Sequence, residues 1–294
     1  GFCYSRDLAM ALSLPSWTPC GVAHLDISAE KAERHRLFAA QGYPAEYLEY
    51  KDGALYQSLA GYLSPPELCR ALLDHPSIKT RFGVSISTLD EIEDGIVVIA
   101  LGHHSKNFKE TSCLPLQPLR GQVTYLTPTA ASQKITGVVC HDGFITPAVD
   151  GLHYAGATFQ REEPAVPELR QDDHAENLAK LNHYMPDLGL TAAHIVGGRA
   201  GYRTTTPDKL PLIGRCPDYS AFTQRNSAFI KDVYIAAGFG AYGMTGAPLA
   251  GEMIAAMISG EVMPVSMQLA KFLAPERYIL RELRRGIISS AGSG

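Results

Sequence analysis

The sequence predicts a mixed α/β protein in which an antiparallel sheet is inserted between two α/β segments. The apolar run at residues 96–101 ends in Gly102, as a strand covered on both faces would between helices. A second apolar strand, at residues 233–237, runs straight into glycines and then into a helix of small residues. Between them, residues 119–159 are rich in β-branched and aromatic residues separated by Gly, Pro and Asp, which is typical of antiparallel strands and turns.

The first elements follow from alternation and from helix capping. Residues 20–26 alternate as a short strand, and residues 28–40 form a charged helix capped by its first serine. Residues 64–67 are a capping box with proline at the first helical position, which predicts a helix over 65–74. Its apolar residues predicted to face inward are Leu68, Leu72 and Leu73. Residues 80–87 alternate as a further strand.

The later elements have distinct compositions. Residues 173–182 predict a polar amphipathic helix, and residues 197–214 predict a loop rich in glycine, arginine and threonine. Residues 247–258 predict a helix of small residues that ends with Gly260 at C′.

Composition limits the classes of function. A chain of 294 residues with 46% hydrophobic residues should bury a large core, and this length favours two domains. The net charge of −4 gives no overall reason to expect a nucleic-acid or membrane partner, so such a partner must use a local patch. The longest uncharged run, residues 233–251, contains five glycines and a proline and is not a membrane span. Six scattered cysteines without C-x-x-C exclude a zinc ribbon and a dithiol motif, and we expect no metal site.

Gly238, Gly240 and Gly243 have the spacing G-x-G-x-x-G between a predicted strand and a predicted helix. Glycines there let backbone N–H groups approach an anionic or polar ligand at a helix N-terminus. Only 51 residues follow Gly243, too few for the repeats behind an opening nucleotide fingerprint. A tight strand-to-helix turn without a ligand is the alternative.

Arginine between glycines at residues 198–214 is suited to gripping a carboxylate through two parallel N–H bonds. An ordinary surface arginine fits the same pattern. The turn Ala100–Leu101–Gly102 ends a buried strand in glycine, where a ligand can lie close to the backbone.

These three elements, with residues 62–73 and Arg120–Gly121–Gln122, resemble the D-amino-acid-oxidase and glycine-oxidase superfamily of FAD-dependent amine oxidases. Within it, PLRGQVTYL, CHDGFITPAVDGLHYAGATF, GRAGYRTTTPDKLPLIGRCPDY, AAGFGAYGMTGAPLAGEMIAAMISGE and LAPERYILRELRRG resemble the oxidoreductase domain of bifunctional tRNA-modifying enzymes. The resemblance runs from residue 20 to residue 286.

The resemblance implies a D-amino-acid-oxidase-like FAD-binding fold, truncated at its N-terminus, with an inserted antiparallel-sheet substrate domain. Residues 60–113 and 191–262 would form the FAD-binding domain, without its first βαβ unit. Residues 1–59 and 114–190 would form a discontinuous substrate domain, and residues 263–294 a basic C-terminal tail. Because the chain begins with glycine and lacks an early G-x-G-x-x-G, we expect a longer natural protein and no binding residues here for the adenosine half of FAD.

The implied activity is removal of the carboxymethyl group from 5-carboxymethylaminomethyl(-2-thio)uridine at the tRNA wobble position. Hydride passes to FAD, and hydrolysis of the imine yields glyoxylate and the aminomethyl base. In that family a fused N-terminal domain then methylates the amine with S-adenosylmethionine, and the sequence given does not contain it. The expected partner is tRNA, and we expect a cytoplasmic monomer. The alternatives are a free glycine, sarcosine or small-amine oxidase and a non-catalytic RNA-binding remnant.

The resemblance also assigns roles to residues. Arg203 matches the arginine that clamps the substrate carboxylate, Tyr242 is the second catalytic candidate, and Gln122 and Tyr202 join Arg203 as substrate-binding candidates. The candidate cofactor-binding residues are Gly102, Gly238, Phe239, Gly240, Ala241, Gly243, Met244 and Thr245. Four tyrosines are candidates for lining the substrate cavity, with core packing as the alternative for the first two: Tyr125, Tyr154, Tyr202 and Tyr242.

A basic stripe lies near the C-terminus. Arg277, Arg281, Arg284 and Arg285 recur at i, i+4, i+7 and i+8, which places them on one helical face. Phosphate binding is the functional prediction, with a solvated helix face as the alternative. A wobble base lies in a single-stranded loop, so it can be splayed into a pocket at little cost.

Overall fold

The computed structural model describes residues 1–92, 95–162, 166–223 and 227–286. The helices are α1 Phe2–Ala11, α2 Ala29–Ala39, α3 Pro65–Leu73, α4 Gln171–Tyr184, α5 Gly243–Ser259, α6 Met267–Leu273 and α7 Arg277–Arg284. The strands are β1 Val22–Leu25, β2 Glu49–Lys51, β3 Ala54–Gln57, β4 Val97–Ile99, β5 Gln117–Leu126, β6 Val138–Cys140, β7 Phe144–Ile145, β8 His153–Gly156, β9 Ile195–Thr205, β10 Leu212–Pro217 and β11 Phe229–Ala237.

The larger sheet has the strand order β2-β3-β1-β6-β7-β8-β5-β9. Its pairs are antiparallel except for β1 and β6. Helix α4 covers one face, where Leu126, Ile145 and Ala155 pack with Leu181. The pair β5–β9 is the longest, so it is the frame on which side chains of both faces are held in register.

The smaller sheet has the order β10-β11-β4, with β11 antiparallel to β10 and parallel to β4. Helix α5 packs on it through Met253 and Ile254, which contact Ile213 and Tyr234. Strand β11 runs directly into the turn that begins α5, so a strand-to-helix turn opens beside β4.

Several predicted elements are present close to their expected bounds. Strand β1 lies within the alternating segment, and the side chain of Ser28 accepts a hydrogen bond from the backbone N–H of Lys31 at the start of α2. Helix α5 ends at Gly260, whose φ of +71° is the left-handed conformation expected at C′.

Three predictions around α3 are wrong. The helix is present, but the side chain of Ser64 makes no capping hydrogen bond. Leu68 is buried, whereas Leu72 and Leu73 are 39% and 44% exposed, because the helix packs through only one turn of its apolar stripe. Residues 80–87 form an exposed segment without strand pairing, since alternation alone does not supply a neighbouring strand.

Two further segments differ from expectation. Strand β4 has three residues and Val98 is 44% exposed, because β4 is paired with β11 and with no second strand among the described residues. The segment expected as a loop at 197–214 is largely the strands β9 and β10, because the long ladder with β5 outweighs the low strand propensity of glycine. Strand β9 thus belongs to the larger sheet.

In the described part of the chain, no helix combines the length and the apolar character that crossing a membrane requires.

Candidate active site

A cavity of about 640 Å³ lies between β4, the end of β11 and helix α5. Its lining is formed mainly by small and apolar residues, among them Gly102, Gly238 and Gly240, together with Tyr202 and Thr204 from β9. It is therefore a site where backbone, rather than long side chains, faces a ligand.

The turn from β11 into α5 requires glycine at two positions. Gly238 has φ +79° and Gly240 has φ +56°, conformations that are strained for other residues. A Cβ built on Gly238 would lie 2.9 Å from Cγ2 of Thr206. The N–H of Gly240 donates to the carbonyl of Thr204 at 2.7 Å, which ties the turn to β9.

The cavity includes some of the cofactor-binding candidates and not others. Gly102, Gly238, Phe239 and Gly240 line it, whereas Ala241, Gly243, Met244 and Thr245 do not. Met244 packs into the apolar cluster of α1 and α3, and the carbonyl of Thr245 accepts from the hydroxyl of Ser5. The start of α5 is thus partly covered by α1.

Arg203 lies on β9 with its guanidinium carbon 4.7 Å from the centre of the Phe159 ring. Its Nη1 is buried and has no hydrogen-bond partner among the described residues. Burial lowers the pKa of Arg203 from its ordinary value. A buried, stacked donor without a partner is costly to the protein alone, and it fits a site that receives an anionic group.

Arg203 and the cavity lining belong to opposite faces of β9. Side chains alternate along a strand, so Tyr202 and Thr204 point to the cavity side and Arg203 points to the other. Arg203 nevertheless lies next to the glycine turn along the strand, because the N–H of Gly240 donates to the carbonyl of Thr204, the residue after Arg203.

Gln122 does not lie with Arg203, contrary to its assignment as a substrate-binding residue. It is fully buried, and its Oε1 accepts from Nη2 of Arg120 and from the backbone N–H of Arg170. Its Nε2 donates to the carbonyl of Arg170. The side-chain amide of Gln122 is thus fully engaged on the face of the sheet that α4 covers, where Arg120 is paired with the buried Asp173.

The two tyrosine candidates have different surroundings. The hydroxyl of Tyr202 donates to Glu162 at 2.9 Å, and its ring centre lies 5.5 Å from that of His103. Hydrogen bonds from Arg170 are the main reason that the pKa of Glu162 is lowered, with Tyr202 adding to the effect. Tyr242 is 71% exposed at the residue before α5.

The four arginines of the C-terminal stripe are not equivalent. Arg277 donates to both carboxylate oxygens of Asp208, at 3.0 and 3.1 Å, and to the carbonyls of Leu210 and Pro211. Its guanidinium is thus engaged inside the protein, which removes it from a phosphate-binding surface. Arg281, Arg284 and Arg285 are exposed.

The sequence patterns assign no role to two residues that contact Arg203. Phe159, which stacks on Arg203, is the last residue of a segment that carries the family resemblance, but its position there does not predict this contact. Gly121 is paired with Gly201 in the β5–β9 ladder and lies against the guanidinium of Arg203, a contact that its position between Arg120 and Gln122 in the sequence does not predict. Among the described residues, no group of three His, Cys, Asp or Glu side chains is placed to hold a metal ion.

Residues 6–257 match the family DAO, FAD dependent oxidoreductase. The chain belongs to this family. The FAD-dependent oxidoreductase activity inferred from the sequence is thereby confirmed at the level of the family, and the glycine turn and cavity are the features of this chain that fit such a cofactor.

Curated relatives of this DAO-family chain share the name "tRNA 5-methylaminomethyl-2-thiouridine biosynthesis bifunctional protein MnmC". The protein from Aromatoleum aromaticum is 34% identical over 325 residues, and the one from Methylobacillus flagellatus is 32% identical over 324 residues. These alignments cover 97% and 96% of this chain but 50% of each relative. The chain spans about half the length of the curated relatives it matches, and the predicted resemblance is confirmed.

Solved structures confirm the predicted D-amino-acid-oxidase-like fold. Glycine oxidase from Geobacillus kaustophilus superposes with a TM-score of 0.75 at 20% identity, covering 94% of this chain and 82% of that one. L-proline dehydrogenase from P. horikoshii gives a TM-score of 0.74 at 20% identity, covering 97% and 83%.

Proposed function

We propose that this DAO-family chain oxidatively removes the carboxymethyl group from 5-carboxymethylaminomethyl(-2-thio)uridine at the tRNA wobble position. The observation that carries the proposal is the buried, unpartnered Nη1 of Arg203. The names of the curated relatives supply the substrate class.

Arg203 would grip the carboxylate of the carboxymethylamino group. A guanidinium matches a carboxylate with two parallel N–H bonds, and stacking on Phe159 holds its plane. Because Nη1 is shielded from water, a charge-assisted bond there is stronger than at the surface. Binding of the carboxylate would satisfy the donor that the free protein leaves unpaired.

The substrate is an N-substituted glycine, R–NH–CH₂–COO⁻. FAD, when bound, supplies the two-electron oxidation of the CH–NH bond, accepting two electrons and a proton while a second proton is released. Water then adds to the resulting R–N=CH–COO⁻ and yields the amine R–NH₂ and glyoxylate. The protein's contribution is to fix the carboxylate end, so that the adjacent CH₂ has one orientation.

The glycine turn would hold the flavin half of the cofactor. Gly238 and Gly240 leave the backbone open to the cavity at the start of the 17-residue helix α5, whose N-terminus favours polar or anionic groups. We propose that the residues of this sequence do not hold the adenosine half of FAD. Titration with FMN and with FAD should then give equal affinities, and much tighter binding of FAD would contradict this part.

Two tyrosines complete the proposed site. Tyr202 lines the cavity, held by Glu162, where it would border the cofactor. Tyr242 is exposed at the mouth of the glycine turn and would contact the substrate there. Tyr242→Phe removes only the hydroxyl, so a change in turnover would identify a contact of that hydroxyl with the substrate. Tyr202→Phe also removes the bond to Glu162, so its effect on turnover would measure the loss of that support.

The partner is proposed to be tRNA, bound in part by the exposed arginines at the C-terminal end of α7, Arg281, Arg284 and Arg285. A methyltransferase domain fused in a longer chain, a monomeric state and a cytoplasmic location complete the proposal. Sedimentation of the protein with and without tRNA tests tRNA binding and the monomeric state.

The deciding experiment measures glyoxylate released from modified tRNA and from free glycine and sarcosine. We expect turnover with tRNA, and preferential turnover of the free amino acids would favour a small-amine oxidase instead. Arg203→Ala should lower kcat/KM. The corresponding loss of transition-state stabilisation should be about 2–4 kcal/mol, the scale of a lost charge-assisted contact. Arg215→Ala is the matched control, because Arg215 also stacks on a phenylalanine but lies on the smaller sheet.

A further inference from the structure

The sheet face that carries Arg203 also carries aromatic and basic side chains that the proposed reaction does not use. Cross-strand partners point to the same face, and the register pairs Leu119 with Arg203, Val123 with Arg199 and Tyr125 with Tyr154. We call this surface the open face and define it by its residues Tyr125, Tyr154, Arg199, Gly201 and Arg203.

The two tyrosines of the open face are not part of the core. Their ring centres lie 5.0 Å apart with the planes at 70°, and both side chains are half-buried. Leu126 and Ala155, their neighbours along the strands, point to the opposite face and pack beneath α4. The tyrosines thus present ring surface outside the clustered core residues, and neither lines the cavity beside α5.

Part of the surface beside Arg203 is open. A Cβ built on Gly201 would meet nothing within 4 Å, so there is open space beside Arg203. Arg199 is exposed on the same face, four residues from Arg203, which is about 13 Å along a strand. The open face therefore combines the guanidinium of Arg199, the uncovered backbone at Gly201 and the rings of Tyr125 and Tyr154.

We propose that the open face binds single-stranded RNA next to the reacting nucleotide, with bases stacked on Tyr125 and Tyr154 and a backbone phosphate held by Arg199. This inference rests on the proposed function, because the nucleotide whose carboxylate reaches Arg203 fixes where its neighbours lie. Every base has a face that stacks on an aromatic ring, and a sheet with exposed rings binds splayed bases rather than a duplex.

Charge supports RNA as the occupant. The chain carries a net charge of −4, so a polyanion needs a local cationic surface, and the open face supplies Arg199 beside Arg203.

The test measures binding of an unmodified anticodon stem-loop RNA by fluorescence anisotropy, so that no turnover is needed. Tyr125→Leu and Tyr154→Leu should each weaken binding about tenfold, the effect of losing one stacked base. Tyr125→Phe keeps the ring and should bind like the unchanged protein. Arg199→Gln should lower the slope of log K against log salt by about 0.7. A duplex made from the stem alone should bind all of these proteins equally.

Tyr43→Leu and Lys231→Gln are matched controls, because both residues are exposed outside the open face. Equal affinity of the Tyr125→Leu and Tyr154→Leu variants and the unchanged protein for the stem-loop would overturn the inference. So would a change in sedimentation of these variants without a change in RNA affinity, since that result would make the face a contact between copies.

The two proposals fail in different ways. If the protein releases glyoxylate from modified tRNA while the open-face variants bind RNA normally, only the inference is wrong. If the unchanged protein oxidises free glycine and shows no tRNA turnover, the proposed function is wrong and the inference is rejected with it.

Discussion

Gly121 and Arg203 approach each other so closely across the β5–β9 ladder that a Cβ built on Gly121 would overlap the guanidinium at Nη1. The same Cβ would lie 2.8 Å from the backbone carbonyl of Thr158, which cannot turn aside as a side chain can. The absence of a side chain at residue 121 therefore creates the space in which Arg203 stacks on Phe159.

Gly121→Ala should displace Arg203 while leaving its charge in the protein. We expect kcat/KM with modified tRNA to fall, with a loss of transition-state stabilisation of about 1–3 kcal/mol, because a displaced guanidinium loses part of its contact with the carboxylate. The double variant with Arg203→Ala should be no worse than Arg203→Ala alone, since both changes act on one contact. Full additivity of the two effects would show that Gly121 acts elsewhere.

Gly201→Ala is the control for folding. Gly201 faces Gly121 in the register, yet a Cβ there meets nothing within 4 Å, so its thermal midpoint should match that of the unchanged protein. Gly121→Ala should unfold at a lower temperature, because the contact with the Thr158 carbonyl forces a backbone shift.

Arg203→Met should separate stability from activity. The unpartnered Nη1 imposes a desolvation cost of about 1–3 kcal/mol, which a methionine against Phe159 avoids. We therefore expect an unfolding free energy in urea equal to or above that of the unchanged protein, together with loss of tRNA turnover. A variant that is less stable by more than about 2 kcal/mol would show that the guanidinium is structural.

The sequence was sufficient where function depends on local backbone geometry. The G-x-G-x-x-G spacing predicted a strand-to-helix turn, and Gly238 and Gly240 do adopt positive φ there. It was insufficient where partners come from distant segments. Gln122 was assigned to the substrate because of its place in a motif, but which face of β5 it occupies is set by pairing with β9 and packing on α4. The prediction that β4 is covered on both faces is wrong for the same reason. Burial of β4 depends on neighbouring elements that the residues of β4 do not specify.

Neutralising Arg281, Arg284 and Arg285 together should weaken tRNA binding and flatten its salt dependence. Each lost phosphate contact should lower the slope of log K against log salt by about 0.7–0.9. Filter binding at several salt concentrations provides the measurement, with Lys231→Gln as a control for a change of charge elsewhere. An unchanged slope would assign these side chains to a solvated helix face.

Arg277 should matter for stability rather than for RNA. Its guanidinium and the carboxylate of Asp208 are both largely buried, and the pair joins α7 to the turn before β10. Arg277→Gln leaves a poorly compensated carboxylate, so we expect a loss of about 2–4 kcal/mol in unfolding free energy. Arg281→Gln should cost at most about 0.5 kcal/mol, because Arg281 is exposed and 3.7 Å from Asp208.

The destabilisation by Arg277→Gln should depend on pH in a direction that follows from Asp208. Burial alone would raise the pKa of Asp208, but hydrogen bonding with Arg277, with Tyr278 and with the N–H of Leu210 holds it well below its usual value. A carboxylate with a lowered folded-state pKa contributes stability above its unfolded pKa of about 3.9 and loses it as the pH falls further. The difference in unfolding free energy between the two proteins should therefore be largest near neutrality and shrink below about pH 4. A difference that stays constant from neutral pH to about pH 3 would mean that Arg277 stabilises the fold through the Leu210 and Pro211 carbonyls instead.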